Sequence, residues 1–307
     1  MDSQPINSDN LTYSQKLAEE AELWGRVAEE QAEHTPPDWR YLRHARHNVI
    51  MHRRDIDALL ARVEPDMTAL EIGCASGWLT LALAQRGAHA RGLDISAKAL
   101  DVARRYYASV QDEVPGSATY EVADLNTLEL PPAAYDVIAA KGVLHHLPHL
   151  DHVIAQFHHA LKPGGLLWIS DTNGDESTLT ALAAGALMFV LPTHMPYCEK
   201  FRSLLRFRLR STERVKASIQ ADGLSPFEGA GRAHDWLKLV EERFVIEQCA
   251  DAPAITGYLT AQIKLPDRIA LPLLRGLYVV DRLLVRLGVL RGTGVTITAR
   301  KAANTPD

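Results

Sequence analysis

Cysteine is scarce: Cys74, Cys198 and Cys249 are the only three in 307 residues. They are too few and too scattered for a disulfide framework and fit a reducing, cytoplasmic setting. Long hydrophobic runs are also missing. The longest, residues 181–191, falls short of the roughly 20 residues that cross a bilayer. No transmembrane segment is therefore expected. The first fifteen residues, MDSQPINSDNLTYSQ, are polar and lack the apolar stretch of a signal peptide. Neither sign of charge dominates: 33 Lys and Arg face 38 Asp and Glu, for a net charge of -5. Such a chain is not built to hold nucleic acid by bulk charge, and no nucleic-acid partner is expected. There is no internal repeat and no low-complexity tract. What is there is ordinary globular composition, 47% hydrophobic and 23% charged. The length suffices for one large α/β domain, or a core with an appended lid.

The pattern changes along the chain. Residues 12–33 are rich in Ala and Glu and read as a helix, which Thr35-Pro36-Pro37 breaks. A second helix is expected to end near Val63. From Met67, short apolar runs alternate with amphipathic segments. The runs are 67–73, 88–94, 118–124, 135–141 and 165–171; the helices lie near 77–86, 97–110 and 150–161. Such alternation argues for a parallel sheet with helices on both faces. Residues 172–241 read as helical stretches, including a basic one at 199–216. Two more strands are expected at 244–250 and 294–300. Between them, 270–290 reads as a helix whose Leu273, Leu277, Val280, Leu284 and Leu287 form one stripe, with Arg275, Arg282 and Arg286 opposite. That stripe is expected to pack in the core or in a dimer, so a homodimer stays open.

The chemistry concentrates in Glu71-Ile72-Gly73-Cys74-Ala75-Ser76-Gly77-Trp78, directly after a strand and opening a helix. Gly73 and Gly77 allow tight turning and close approach of a ligand to the backbone. Alone the motif is weak, because small-residue turns are common in doubly wound folds. The downstream spacing strengthens it. Asp94 ends the second strand, where a carboxylate can accept hydrogen bonds from vicinal hydroxyls. Asp124 ends the third strand and can meet an amino group. The fourth runs into Lys141-Gly142-Val143-Leu144-His145-His146, and Leu161-Lys162-Pro163-Gly164-Gly165 leads into the fifth.

These blocks, in this order and spacing, resemble the class I S-adenosylmethionine-dependent methyltransferases. The likeness is firm over roughly residues 50–171 and looser over 244–300. Ala75 departs from the pattern, which often has glycine there. The resemblance implies a seven-stranded, mostly parallel, doubly wound α/β sheet with its last strand antiparallel, helices on both faces, and an α-helical lid. Four segments follow: 1–63, an N-terminal helical segment forming part of the lid; 64–171, the S-adenosylmethionine-binding core; 172–241, a helical insert forming the substrate lid; and 242–307, the strands and helix completing the core. It also implies a cofactor site of Glu71, Gly73, Cys74, Ala75, Gly77, Asp94, Ile95, Asp124, Leu125 and Lys141. Glu71 would place the cofactor's ammonium, Asp94 would hold its ribose and Asp124 its adenine.

The implied reaction moves a methyl group to an oxygen, or a nitrogen, of a small molecule such as a natural product, a sugar or a lipid-like acceptor. A hydroxyl acceptor needs a base, and Lys141, His145, His146 and His47 are the candidates. A non-methylating relative, catalysing a cyclisation or rearrangement, and a non-catalytic scaffold are the alternatives. Of 13 histidines, six fall between His145 and His159. They read as a helix surface, with His152 and His159 facing water, plus one pair at the rim of the site; no metal is expected. Cys74 reads as a small packing residue of the turn. The basic stretch 199–216 reads as a solvated face, or as a lid toward an anionic substrate or a membrane surface.

Overall fold

A computed structural model describes residues 11–172, 178–207, 225–227, 230 and 233–303. Helix α1 (Tyr13–His34) opens with a capping box, in which Thr12 accepts from the Gln15 amide and the Gln15 side chain accepts from the Thr12 amide. The second helix expected to end near Val63 is α4 (Arg53–Leu60), and two short helices, α2 (Trp39–Leu42) and α3 (Arg46–Met51), precede it. The break between α3 and α4 falls at His52 (φ -122°, ψ -24°). It lets His47, Met51, His52 and Asp55 all line one cavity.

The alternating region follows as β1 (Thr68–Ile72), α5 (Trp78–Gln85), β2 (His89–Asp94), α6 (Ala97–Val110), β3 (Ser117–Val122), β4 (Tyr135–Lys141), α7 (Leu150–Ala160) and β5 (Leu161–Thr172). Then come α8 (Thr178–Val190), α9 (Tyr197–Phe207), α10 (Ala233–Arg243), β6 (Val245–Asp251), α11 (Thr256–Thr260), α12 (Asp267–Arg286) and β7 (Gly294–Arg300).

The seven strands lie in the order β3-β2-β1-β4-β5-β7-β6. Pairing is parallel from β3 across to β5, and β7 runs antiparallel to both β5 and β6. The chain leaves β1 toward one edge and returns at β4 toward the other. The crevice at the carboxyl ends of β1 and β4 is therefore the topological switch point, where open α/β sheets bind ligands.

Strands buried on both faces need continuous apolar runs. Accordingly Leu70 and Ile138 contribute to one core layer, with Phe157 of α7 and Trp236 of α10. Ala69 and Val137 contribute to the other, with Leu79 and Leu83 of α5 and Leu100 of α6. A third cluster packs α3, α8, α11 and α12 together through Ile50, Ala184, Leu259, Ala270 and Leu274.

Two sequence expectations change here. On α7 the stripe Leu150, Val153, Ile154, Phe157 and Leu161 is buried and His159 is exposed. His152 does not face water: it is half-buried and donates from Nε2 to the Leu128 carbonyl at 2.9 Å. On α12 the expected apolar stripe is only partly the core face. Leu277 and Leu284 pack against the third cluster with buried Ala270, Leu274 and Asp281, while Leu273, Val280 and Leu287 are exposed.

The reason is Asp281. Its carboxylate accepts the backbone amides of Ala254, Ile255 and Thr256 and the Thr256 hydroxyl, at 2.7–3.0 Å. With four donors the carboxylate is fully hydrogen-bonded, which lets it face inward. From the basic stretch 199–216, Lys200 is buried rather than solvated. Its ammonium donates to the Met188 and Leu191 carbonyls at 2.6 Å, capping the carboxyl end of α8. Residues 208–216 lie outside the described residues.

Candidate active site

The turn after β1 is held in an unusual backbone conformation. Gly73, Ala75 and Gly77 have φ of 69°, 43° and 75°. A side chain at Gly73 would come within 2.4 Å of Val143, and one at Gly77 within 2.4 Å of the Tyr120 ring. Glycine is thus required at both positions, by conformation and by space. Gly77 caps α5 and does not itself line a cavity.

The turn carries its acids inward. Glu71 is buried and accepts from the Thr80 amide at 2.6 Å and from the Thr80 hydroxyl. Burial pushes its carboxyl up to about 8, and the neighbouring Asp94 charge adds to the rise. Asp94 is buried too. It accepts the Ala75 amide on one oxygen and the Ser96 amide on the other, both at 2.8 Å. Burial raises it against those hydrogen bonds. The Ile95 amide also lies against this carboxylate, and a carboxylate with about four acceptor sites keeps capacity for a ligand.

These groups line a first cavity at the switch point. Glu71, Gly73, Cys74, Ala75, Asp94, Ile95, Asp124, Leu125, Lys141 and His146 all contribute. Sequence reasoning missed Leu17, Glu20 and Trp24 of α1, which cover it, and Asn126 and Phe227. The cavity measures about 180 Å³, below the roughly 300–1,000 Å³ usual for ligand sites. Helix α1 accounts for the small size, and Tyr13 latches it by donating to the Asp124 carboxylate at 2.9 Å. The Tyr13 hydroxyl is pushed up to about 12, by burial first and the Asp124 contact second. Gly25 lets α1 lie against α6, since a side chain there would meet Lys98 at 2.8 Å.

A second cavity of about 380 Å³ adjoins the first, sharing Lys141 and Gly142. His47, His52, Asp55, His145 and Asp171 line it, with Met51, Tyr258, Tyr278 and Arg282. The two rim histidines thus part: His145 lines the second cavity and His146 the first. His145 Nδ1 donates to Asp171 Oδ1 at 2.6 Å. Asp171 is fixed in turn by the Val143 and Leu144 amides on Oδ2 and the Thr172 amide on Oδ1, at 2.6–3.0 Å. With Nδ1 carrying the hydrogen, Nε2 of neutral His145 is the basic nitrogen.

His146 is tied differently. The Ser225 hydroxyl donates to Glu20, so His146 Nδ1 is the donor to Ser225 Oγ at 3.0 Å. Burial, with His145 beside it, pushes His146 down to about 3. His47 Nδ1 donates to Thr260 Oγ1 at 2.6 Å, because that hydroxyl already donates to the Gly257 carbonyl. Burial lowers His47, as does the Lys141 charge. Lys141 is half-buried, and burial lowers its ammonium against the pull of Asp171 and Glu71. Among the described residues, no three His, Cys, Asp or Glu side chains gather as a metal site.

Asp171 was absent from the sequence candidates. It stands at the carboxyl end of β5, and the rule that ligands bind beyond strand ends was the available signal.

Residues 70–167 match the family model described as a methyltransferase domain. Residues 70–167 are thus a methyltransferase domain, about a third of the chain. Its core elements, from β1 to β5, coincide with the matched residues. A ubiquinone biosynthesis O-methyltransferase of Azoarcus sp. (strain BH72) is 33% identical over 125 residues, covering 40% of this chain and 52% of that protein. One from Colwellia psychrerythraea is 29% identical over 178 residues, covering 56% and 70%. The chain spans about half the length of the first curated relatives it matches. A solved structure of Haemonchus contortus phosphoethanolamine N-methyltransferase 1, with phosphoethanolamine and S-adenosylhomocysteine, aligns over 97% of this chain and 51% of that one. At 11% identity and a TM-score of 0.55, that likeness shows a shared fold. No helix among the described residues is long and apolar enough to cross a membrane.

Proposed function

We propose that the methyltransferase domain binds S-adenosylmethionine in the first cavity and methylates a hydroxyl of a small molecule held in the second. The observation that carries this reading is the junction of the two cavities at Lys141 and Gly142, with the His145–Asp171 pair on the acceptor side. When bound, the cofactor supplies an electrophilic methyl carbon on a sulfonium. The residues present fit it by their chemistry. Asp94 retains acceptor capacity for a ribose hydroxyl. Glu71 is neutral only while alone in its site, and a neighbouring ammonium would draw it to the carboxylate. Asp124 meets the adenine amino group once Tyr13 yields, and Gly73, Cys74, Ala75, Ile95 and Leu125 complete the wall. Because the closed cavity is small, α1 acts as a lid that swings outward on loading. From the insert at 172–241, Phe227 joins α1 in covering the first cavity.

On the acceptor side, His145 Nε2 would take the acceptor's hydroxyl proton, and the electron pair of the broken S–CH3 bond would leave with S-adenosylhomocysteine. Asp171 keeps the ring in that tautomer and stabilises the imidazolium formed. Lys141 faces both cavities and stabilises charge developing on the acceptor oxygen. His146, tied to Ser225 and buried neutral, holds the lid to the core. His47, with Nδ1 engaged by Thr260, positions the acceptor. A proton acceptor matters for a hydroxyl and little for a free amine, which favours oxygen over nitrogen. The curated relatives are named O-methyltransferases of ubiquinone biosynthesis. Among natural products, sugars and lipid-like acceptors, this favours a lipid-like, hydroxylated aromatic, which Met51, Tyr258 and Tyr278 suit as an apolar wall.

Calorimetry should show binding of S-adenosylmethionine and S-adenosylhomocysteine, and Asp94→Ala should abolish both. With phenolic acceptors, His145→Asn should lower kcat by roughly 10²–10⁴-fold while leaving cofactor affinity in place. A folded chain that binds neither cofactor form overturns the proposal. Binding without transfer to any hydroxylated acceptor returns the fold to a cyclisation or rearrangement enzyme, or to a scaffold.

A further inference from the structure

The face of α12 turned away from the core is apolar along its whole length. Ile269, Leu273, Val280, Leu283 and Leu287 are between 40 and 67% exposed. At 100° per residue they fall in one narrow sector. Arg268, Arg275 and Arg286, all exposed, run along one border of that sector. The helix has only two acids. Asp281 is buried, and Asp267 is paired with Arg46 at 2.6 Å. Helix α8 repeats the pattern without charge. Thr178–Val190 contains no ionisable residue, yet Leu179, Leu182 and Val190 are exposed. Both helices pack in the third hydrophobic cluster, outside the two layers that cover the sheet.

Exposed apolar stripes on two helices of one substructure mark a surface that is covered in use. We propose that this substructure docks onto an anionic lipid bilayer. Helix α12 lies in the interfacial plane, with its apolar sector among the acyl chains and its arginines at the lipid phosphates. A second copy of the chain would supply apolar area. It would bring no acid on this helix to answer the arginine border, whereas an anionic lipid surface supplies both. Tyr278 and Arg282 of the same helix line the second cavity, so a lipid-like acceptor would reach it from the docked side. That last consequence rests on the proposed methyl transfer. The docking does not, because vesicle binding is read without turnover.

The test is cosedimentation of the full chain with vesicles of phosphatidylcholine alone, and of phosphatidylcholine mixed with phosphatidylglycerol. Binding is expected on the mixed vesicles and should weaken as salt rises. The double variant Arg275→Glu, Arg286→Glu should lose roughly tenfold or more in partitioning. Leu283→Glu should lose binding, with Leu287→Gln as a milder second variant; circular dichroism checks that each is folded. Folded wild type that stays in the supernatant with mixed vesicles overturns the proposal. So does binding that ignores both the lipid charge and the Leu283 substitution. A dimer in light scattering that Leu283→Glu dissolves, without any vesicle binding, assigns the face to a second copy instead.

Discussion

Ala75 sits at φ 43° in the glycine-bearing turn, where a Cβ costs roughly 1–2 kcal/mol. Ala75→Gly relieves that strain but adds unfolded-state entropy, so stability should rise by no more than about 1 kcal/mol. Gly77→Ala should lose about 1–3 kcal/mol or more, because its new methyl meets the Tyr120 ring. Urea midpoints compare the two, and equal effects would remove the backbone argument. The turn was legible in sequence because glycine reports a backbone requirement directly. Asp171 was not. Its role depends on His145 being 2.6 Å away across 26 positions of chain, and no local pattern encodes that.

At the scale of elements, α12 shows how periodicity misleads. Leucines at 4-3-4-3 spacing predict one buried face; Leu277 and Leu284 do pack inward, but the helix is rotated to turn Asp281 inward as well, where it receives three amides and a hydroxyl. Asp281→Ala should leave those buried donors unpaired and cost roughly 3 kcal/mol or more. Hydrogen exchange should then quicken in α11 and α12 before the sheet. Uniform quickening would mean that Asp281 supports the whole fold and not this cluster alone. The strands and α5, α6 and α7 were legible to within a few residues, since burial on one or two faces imposes a simple period. The short helices α2 and α3 before α4 were hidden, because α3 and the break after it serve a cavity built from distant elements.

For the molecule as a whole, buried histidines set the response to acid. Burial pushes His52 to about 2, and His146 to about 3, against about 6.5 when unfolded. Above pH 6.5 neither state is protonated there, so stability is unaffected. As pH falls below that value the unfolded chain takes up protons that the fold refuses. Each histidine then removes up to about 1.4 kcal/mol per pH unit. Unfolding in urea at neutral and mildly acid pH should show this loss. His52→Gln and His146→Asn should flatten it, and an unchanged slope in both would assign the acid loss to other groups.

The sequence by itself determined the alternating α/β core, the glycine turn after β1 and the acids ending the first three strands. Those features follow from backbone conformation and from burial of strands on two faces, both of which are local. Only the tertiary structure decided which histidine faces which cavity, that Asp171 orients His145, and which side of α12 meets the core. These depend on competition among groups far apart in the chain. There, the need to satisfy buried polar atoms outweighs the hydrophobic pattern of any single segment.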